Sequence, residues 1–329
     1  MADSTTVPPL LGAVTIRADI ERGQQPMIWH MARARRLARG NLADLVYLVP
    51  VLALLGGFLF YPLVYGIGLS LHDGQGVDAA RFVGIEHFAR AVLGDGVFHR
   101  SLLNTVVFTG AAVVLQTGIG FLLAVLVSGV RRGRTILLVA FFAPFVLASV
   151  AVGAVWKFLY APFFGVAATV GAALGIDAST IAPLADERTA LLAILAAFLW
   201  RFTGFTMVVY AAAIRALPRE YDDVASLEGA TWPQRVQHVT WPLLWPQTFA
   251  LVLLTTLGTL RIFDMVWVMT AGGPAHATDS VATHVYTTAF RFGDVGYAQA
   301  MAMILLAVIV VLTVVEYRLL NPRAEEASG

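Results

Sequence analysis

Three ionisable side chains stand out inside long apolar runs of this chain, away from the run ends: Arg201, Arg261 and Asp264. Charge within such a run is costly, so these residues face a cavity or a partner group. At about 1.5 Å of rise per residue, Arg201 falls roughly 18 Å from the end of its run. Arg261 and Asp264 fall roughly 12 and 8 Å from the matching end of theirs. Spaced three apart, they share one helix face on this reading. Trp200, Phe205, Tyr210, Phe263 and Trp267 supply aromatic surface close by in sequence. Together these side chains could line a path for a polar solute. The competing reading makes Arg261 and Asp264 an internal ion pair and the tryptophans packing residues or interface anchors.

Other chemistries find little support. The chain has no cysteine, which removes thiolate metal sites and disulfides. Its only lysine, Lys157, is followed by Phe158, so no phosphate-binding G-x-x-x-x-G-K-[ST] loop exists. No H-E-x-x-H occurs; Glu86, His87 and His238 read as surface residues and not as metal ligands, so no metal site is expected. Asp177, Asp186 and Glu187 lack the clustering that acid–base or metal chemistry requires. Gln116 reads as an interhelical hydrogen-bond donor.

The elements that must hold these residues are membrane helices. Of 329 residues, 58% are hydrophobic and 13% charged, and the mean hydropathy is +0.76. Soluble domains carry about 25% charge. A net charge of +1 gives no cause to expect nucleic acid. About 20 apolar residues cross a bilayer core of ~30 Å. Six runs meet that length, near 45–71, 102–129, 135–158, 189–214, 243–269 and 297–318. The shorter run 161–176 is expected to be interfacial or re-entrant. Backbone groups in lipid must be satisfied internally, so the fold expected is an all-α integral membrane protein with six transmembrane helices. Gly110, Gly118 and Gly120, with Ala148 and Gly153, are expected to let helices approach closely.

With the amino terminus inside, fourteen basic residues fall on the inner side and six on the outer. Both termini and the 217–242 loop then face the cytoplasm. Residues 1–42 form an inner tail without a secretory signal, in which 27–37 could lie as a short interfacial helix. Residues 43–320 form the membrane domain, and 321–329 a second inner tail.

The 217–242 loop carries its own folding signals. Pro218 suits a helix first turn, and Glu220, Asp222 and Asp223 complement the helix dipole there. Gly229 can take the left-handed conformation that ends a helix. Thr231 and Gln234 have capping-box spacing, and Pro242 biases Trp241 away from helix. The expectation is two short helices at an angle, which local signals alone would also give for an ordinary linker.

This loop resembles the coupling loop of ABC importer permeases, roughly E-A-A, three residues, G, nine residues, I, one residue, L-P. Asp223-Val224-Ala225 stands at E-A-A, Gly229 at G, Val239 at I, and Trp241-Pro242 at L-P. Aspartate at 223, valine at 224, Glu228 for the usual aspartate and Trp241 for leucine are departures. The run from Phe263 to Pro274 is similar to the F-D-x-x-W-x-M-T-x-G-G-P segment of carbohydrate permeases. Phe82-Val83-Gly84, Asn104-Thr105, Trp200-Arg201-Phe202 and Gly296-Tyr297-Ala298 extend the resemblance over roughly 45–320.

The resemblance implies a type I ABC importer permease fold. It implies a bacterial inner-membrane subunit of the maltose or glycerol-phosphate permease kind, working with a second permease, two cytoplasmic ATPases and an extracytoplasmic binding protein. Asp223, Ala225, Glu228, Gly229, Val239 and Pro242 would then couple to the ATPase. Arg201, Trp200, Phe205, Tyr210, Arg261, Asp264 and Trp267 would line the path of an oligosaccharide, disaccharide or related polyol or sugar phosphate. This chain would bind no cofactor, ATP being hydrolysed by the partner. An ion-coupled carrier and a membrane-embedded glycosyl transferase are the competing functions.

Overall fold

The computed structural model describes residues 42–73, 81–130, 132–162, 165–173 and 182–320. The expected tails, including the 27–37 helix, lie outside these residues. The chain divides into two compact units, Met1–Tyr65 and Gly66–Gly329. In the first, α1 (Leu42–Leu55) passes through a π turn (Gly56–Phe60) into the start of α2 (Tyr61–Ser70).

The second unit continues with a two-stranded antiparallel ribbon, β1 (His72–Asp73) and β2 (Arg81–Phe82), pairing His72 with Phe82. Next come α3 (Glu86–Ala89), the 33-residue α4 (Gly96–Ser128), α5 (Arg134–Val146), α6 (Ser149–Leu159) and α7 (Val166–Ala173). Then follow α8 (Ala190–Ala216), α9 (Arg219–Leu227), α10 (Trp232–Arg235), α11 (Trp241–Leu243) and α12 (Trp245–Thr259). The series ends with α13 (Asp264–Met269), α14 (Val281–Phe290) and α15 (Val295–Leu320).

Among the described residues four helices are long and apolar enough to cross a membrane: Tyr47–Ser70, α4, α8 and α15. The pair α5–α6 makes a fifth if it is counted as one span, but it bends by 98°. Two of the six expected runs are therefore not simple rods. The third breaks at Leu147 and Ala148, whose ψ angles of 144° and 141° are extended. The fifth stops at Thr259 and restarts at Asp264. Hydropathy averages over a window, so it registers apolar length and misses a local change of direction. Among its described residues, the segment expected to be interfacial contains the eight-residue α7.

Helix α8 is the centre of packing. On α4, Gly120 lies where a Cβ would be 2.5 Å from Cγ2 of Thr206, so the helices meet closely there. One turn away Gln116 Nε2 donates to Thr206 Oγ1 at 2.8 Å, the expected interhelical bond. Gly110 and Gly118 have open space instead, with no other described residue of this chain packed on them. On its other side α8 presents Gly204 directly against the Phe141 carbonyl of α5. Gly153 of α6 packs against Val268 of α13, 3.3 Å from where its Cβ would stand.

Three buried clusters follow from these contacts. Phe108, Val152, Ile194, Phe198 and Met265 form one, joining α4, α6, α8 and α13. Met207, Tyr210, Leu244 and Leu251 form another towards the 217–242 loop. Phe98, Val281, Tyr297 and Met301 form the third at the opposite end of α4. His87, expected at the surface, is 6% exposed because α3 packs against α15.

Candidate functional site

The 217–242 loop is an elbow with a defined hinge. Helix α9 ends at Leu227 with Glu228 as its C-cap, and Gly229 adopts φ +78°. The Gly229 amide donates to the Ser226 carbonyl at 3.1 Å and the Ala230 amide to the Ala225 carbonyl at 3.0 Å. These two bonds complete a Schellman motif, in which glycine avoids the left-handed steric cost. The chain restarts at Thr231, whose N–H and hydroxyl both donate to Gln234 Oε1, at 2.8 and 2.7 Å. Arg235 Nη1 reaches both oxygens of Asp222, at 3.1 Å each, bracing α10 against α9.

Trp241 is helical, at φ −60° and ψ −49°, contrary to the expectation drawn from Pro242. A π turn at Val236–Thr240 precedes it, and its amide donates to the Val236 carbonyl five residues back. The wider turn lets a proline ring follow without the usual clash, so the elbow runs on towards α12. Tyr61 and Pro62 follow the π turn in the first unit in the same way, with the Tyr61 amide on the Gly56 carbonyl.

Facing outward, α9 leaves Val224 and Leu227 exposed at 58% and 88%. The Asp223 carboxylate has no hydrogen-bond partner among the described residues, and its backbone carbonyl accepts from Ser226 Oγ at 2.7 Å. Inward, a cavity of about 400 Å³ lies between the elbow and the ends of α4 and α8, lined by Ser128, Leu217, Tyr221, Trp232 and Val239 among others. The Trp241 ring meets Phe121 of α4 edge-on at 4.8 Å, and Phe121 meets Tyr210 of α8 at 5.5 Å. Tyr210 is fully buried and its hydroxyl donates to Thr248 Oγ1 of α12 at 2.9 Å. Tyr210 thus belongs to the packing above the elbow and has no surface to offer a solute.

Both arginines inside the apolar runs sit at breaks. Arg201 Nε donates to the Leu147 carbonyl at 3.0 Å, and Nη1 to Ser149 Oγ at 2.8 Å. It therefore satisfies a backbone group freed where α5 ends and α6 begins. Arg261 Nε donates to the Leu257 carbonyl at 3.0 Å, in the last turn of α12. Asp264 is the first residue of α13, where the helix dipole favours a negative charge. Arg261 and Asp264 thus stand on either side of a turn, not on one helix face, and no ion pair joins them. Ser280 Oγ occupies the Ile262 carbonyl within that turn, at 2.7 Å.

A cavity of about 140 Å³ opens between the two breaks, lined by Ser149, Phe198, Phe202, Arg261, Phe263 and Asp264. Asp264 is exposed and its carboxylate accepts no hydrogen bond among the described residues. Arg201 stands beside this cavity with its guanidinium 4.5 Å over the Phe202 ring. The remaining aromatics divide. Trp200, 46% exposed, meets Trp156 edge-on at 5.9 Å, and Phe205 stacks on Phe145 at 4.8 Å. Trp267 stacks on Phe263 at 5.6 Å, meets Tyr286 at 4.8 Å, and carries Arg291 4.9 Å over its face.

Leu147, Ser149, Tyr286 and Arg291 were not among the expected site residues. Pro144 and Ser149 inside one apolar run were the available signal for the first two. Tyr286 and Phe290, four apart between two runs, were the signal for the α14 aromatics.

Residues 116–326 match the family of binding-protein-dependent transport system inner membrane components. A probable ABC transporter permease protein of Pyrococcus horikoshii is 30% identical over 271 residues, covering 82% of this chain and 92% of that one. The lactose transport system permease protein LacF of Rhizobium radiobacter is 29% identical, covering 83% and 92%. Among solved structures, a bacterial alginate ABC transporter in complex with an alginate pentasaccharide-bound periplasmic protein includes a chain of the same fold. It aligns with TM-score 0.75 and 19% identity over 85% of this chain and 94% of that one. The matched stretch contains the elbow and both helix breaks, and with it the chain belongs to the binding-protein-dependent transport system inner membrane components, the permease subunits of ABC importers.

Proposed function

We propose that this chain is one of two different permeases in a carbohydrate importer, and that the 217–242 elbow takes up the movement of a cytoplasmic ATPase pair. The observation carrying this reading is the two-sided elbow. Outward it offers Val224, Leu227 and Asp223, whose carboxylate has no partner among the described residues. Inward it bears on α4, α8 and α12 through Trp241, Phe121, Tyr210 and Thr248. Apolar anchors beside a free carboxylate suit a groove carrying basic residues. Asp223, Ala225, Glu228, Gly229, Val239 and Pro242 are the coupling set, with Ala225 and Gly229 closing the hinge. ATP binds and is hydrolysed on the partner, and this chain does no catalysis of its own.

Carbohydrate is favoured by the relative named for lactose. The solute path runs by the cavity between the helix breaks. Asp264 and Arg201 bond solute hydroxyls there, Arg261 borders it, and Trp267, Trp200 and Phe205 add aromatic faces near its margins. Six crossings, with both termini and the elbow on the cytoplasmic side, follow if α5–α6 and α12–α13 each cross as a broken helix. An extracytoplasmic binding protein then delivers solute to the opposite face.

The test is reconstitution of the chain with its partner permease, ATPase and binding protein in vesicles. ATP-dependent uptake of a labelled oligosaccharide is expected, and Asp223→Arg should abolish capture of the ATPase. Solute accumulation driven by an ion gradient without the ATPase would refute the reading.

A further inference from the structure

At the end of α4 remote from the elbow, three segments bring nitrogen and oxygen donors together. Asp73 ends β1, His87 lies in α3, and Asp294 immediately precedes α15. One carboxylate oxygen of each aspartate and one imidazole nitrogen of His87 lie within 4.8 Å of one another. His87 is 6% exposed, yet the only hydrogen bond of its ring among the described residues is a long one, Nε2 with the His72 carbonyl at 3.3 Å. A buried imidazole bonded this weakly retains donor or acceptor capacity that packing alone does not satisfy.

The surrounding residues keep this cluster together. A Cβ on Gly296 would strike the His72 carbonyl and stand 3.0 Å from His87 Nε2, so only glycine lets α15 approach so near. Asp73 is exposed and its carboxylate has no partner among the described residues. Asp294 accepts from Arg90 Nη1 at 2.9 Å and from the Tyr297 amide at 3.2 Å. Each carboxylate oxygen carries two lone pairs, so those bonds leave room for a cation. Arg90, with a side chain 55% exposed, offsets part of the charge.

We propose that Asp73, His87 and Asp294 form a binding site for a divalent transition-metal ion. Two carboxylates and a neutral imidazole, with no sulfur, suit zinc or manganese. Water completes the coordination. Zinc bonds of about 2.0–2.1 Å bring neighbouring ligands to roughly 3.4 Å, so the donors draw inward on binding. Asp73 moves most, since it is exposed and ends a two-residue strand. The ion ties β1 and α3 to the start of α15 at this face of the bundle.

Metal-stripped wild-type complex in nanodiscs, titrated with zinc and with manganese by equilibrium dialysis, tests this. One ion per copy of this chain is expected, together with a rise in the unfolding temperature. Asp73→Asn removes no hydrogen bond among the described residues, so it should fold normally. It should lower the affinity by more than about tenfold, the scale seen when even a supporting residue is lost from a metal site. His87→Gln should lose the site. Wild-type complex that binds no more ion than the Asp73→Asn complex overturns the proposal.

Discussion

Asp264 separates holding the fold from handling the solute more cleanly than any other residue. Its carboxylate borders the cavity between the breaks and accepts no hydrogen bond among the described residues. Asp264→Asn should therefore shift stability by less than about 0.5 kcal/mol while uptake falls, measured as unfolding temperature beside vesicle transport. Unchanged uptake would remove its charge from the path. Asp95 is the contrasting acid. It caps α4, accepting from the Val97 and Phe98 amides at 2.8 and 2.9 Å and from the Tyr297 hydroxyl at 2.6 Å. Partial burial pushes the Asp95 carboxyl up, but the bonds from Tyr297, Phe98 and His284 outweigh it and hold it below the ordinary value of 3.8. A depressed folded value gives stability that is present above that ordinary value and lost as pH falls through the folded one. Unfolding temperature should therefore drop on acidification below about pH 4, and less so in Asp95→Asn.

Sequence could identify the charged residues at this scale and not their neighbours. That Arg201 and Arg261 need polar surroundings follows from where they occur. That backbone carbonyls satisfy them does not, because the carbonyls are free only where the helices break. His87 carried no pattern that distinguished it, and its burial comes from the approach of α15 at Gly296.

Among the elements, the elbow was the most legible. Gly229, Thr231 and Gln234 each have a local job, and local rules assign it. Gly229→Val forces a β-branched residue to φ +78° and should cost about 1–3 kcal/mol locally. The expected result is weaker co-purification of the ATPase with membrane insertion unaffected. Prolines were read less well, since Pro242 indicates a stop only for an α-helical hydrogen-bond register. The π turn before it changes the register, and nothing in the local sequence announces that choice. Gly204 lies in the middle of an apparently uniform span, yet the Phe141 carbonyl sits where its Cβ would be. Gly204→Ala should overpack the α5–α8 contact and destabilise by about 1–3 kcal/mol, seen as a lower unfolding temperature in detergent.

Across the molecule, the class and family were readable because apolar length and the elbow's spacing are both properties of contiguous sequence. The paths of the third and fifth runs were not, because their breaks answer to side chains far away, such as Arg201 on the Leu147 carbonyl. Membership of the importer family leaves the ion-coupled carrier without support. It also makes the aromatic route from Trp241 to Tyr210 testable as a transmission line. Trp241→Ala removes the contact with Phe121 while leaving the outer face of α9 intact. The expected result is an assembled complex whose ATP turnover persists while uptake per ATP falls by several-fold. Equal losses of both would mean that Trp241 serves assembly only.

The 33 residues of α4 make a rod of about 50 Å, against a hydrocarbon thickness near 30 Å. It must tilt or overhang the lipid, and each choice makes the protein tolerant of bilayers of unequal depth. Shortening the acyl chains of a host membrane should then alter how far α4 protrudes or leans before it disturbs the joints midway along its neighbours.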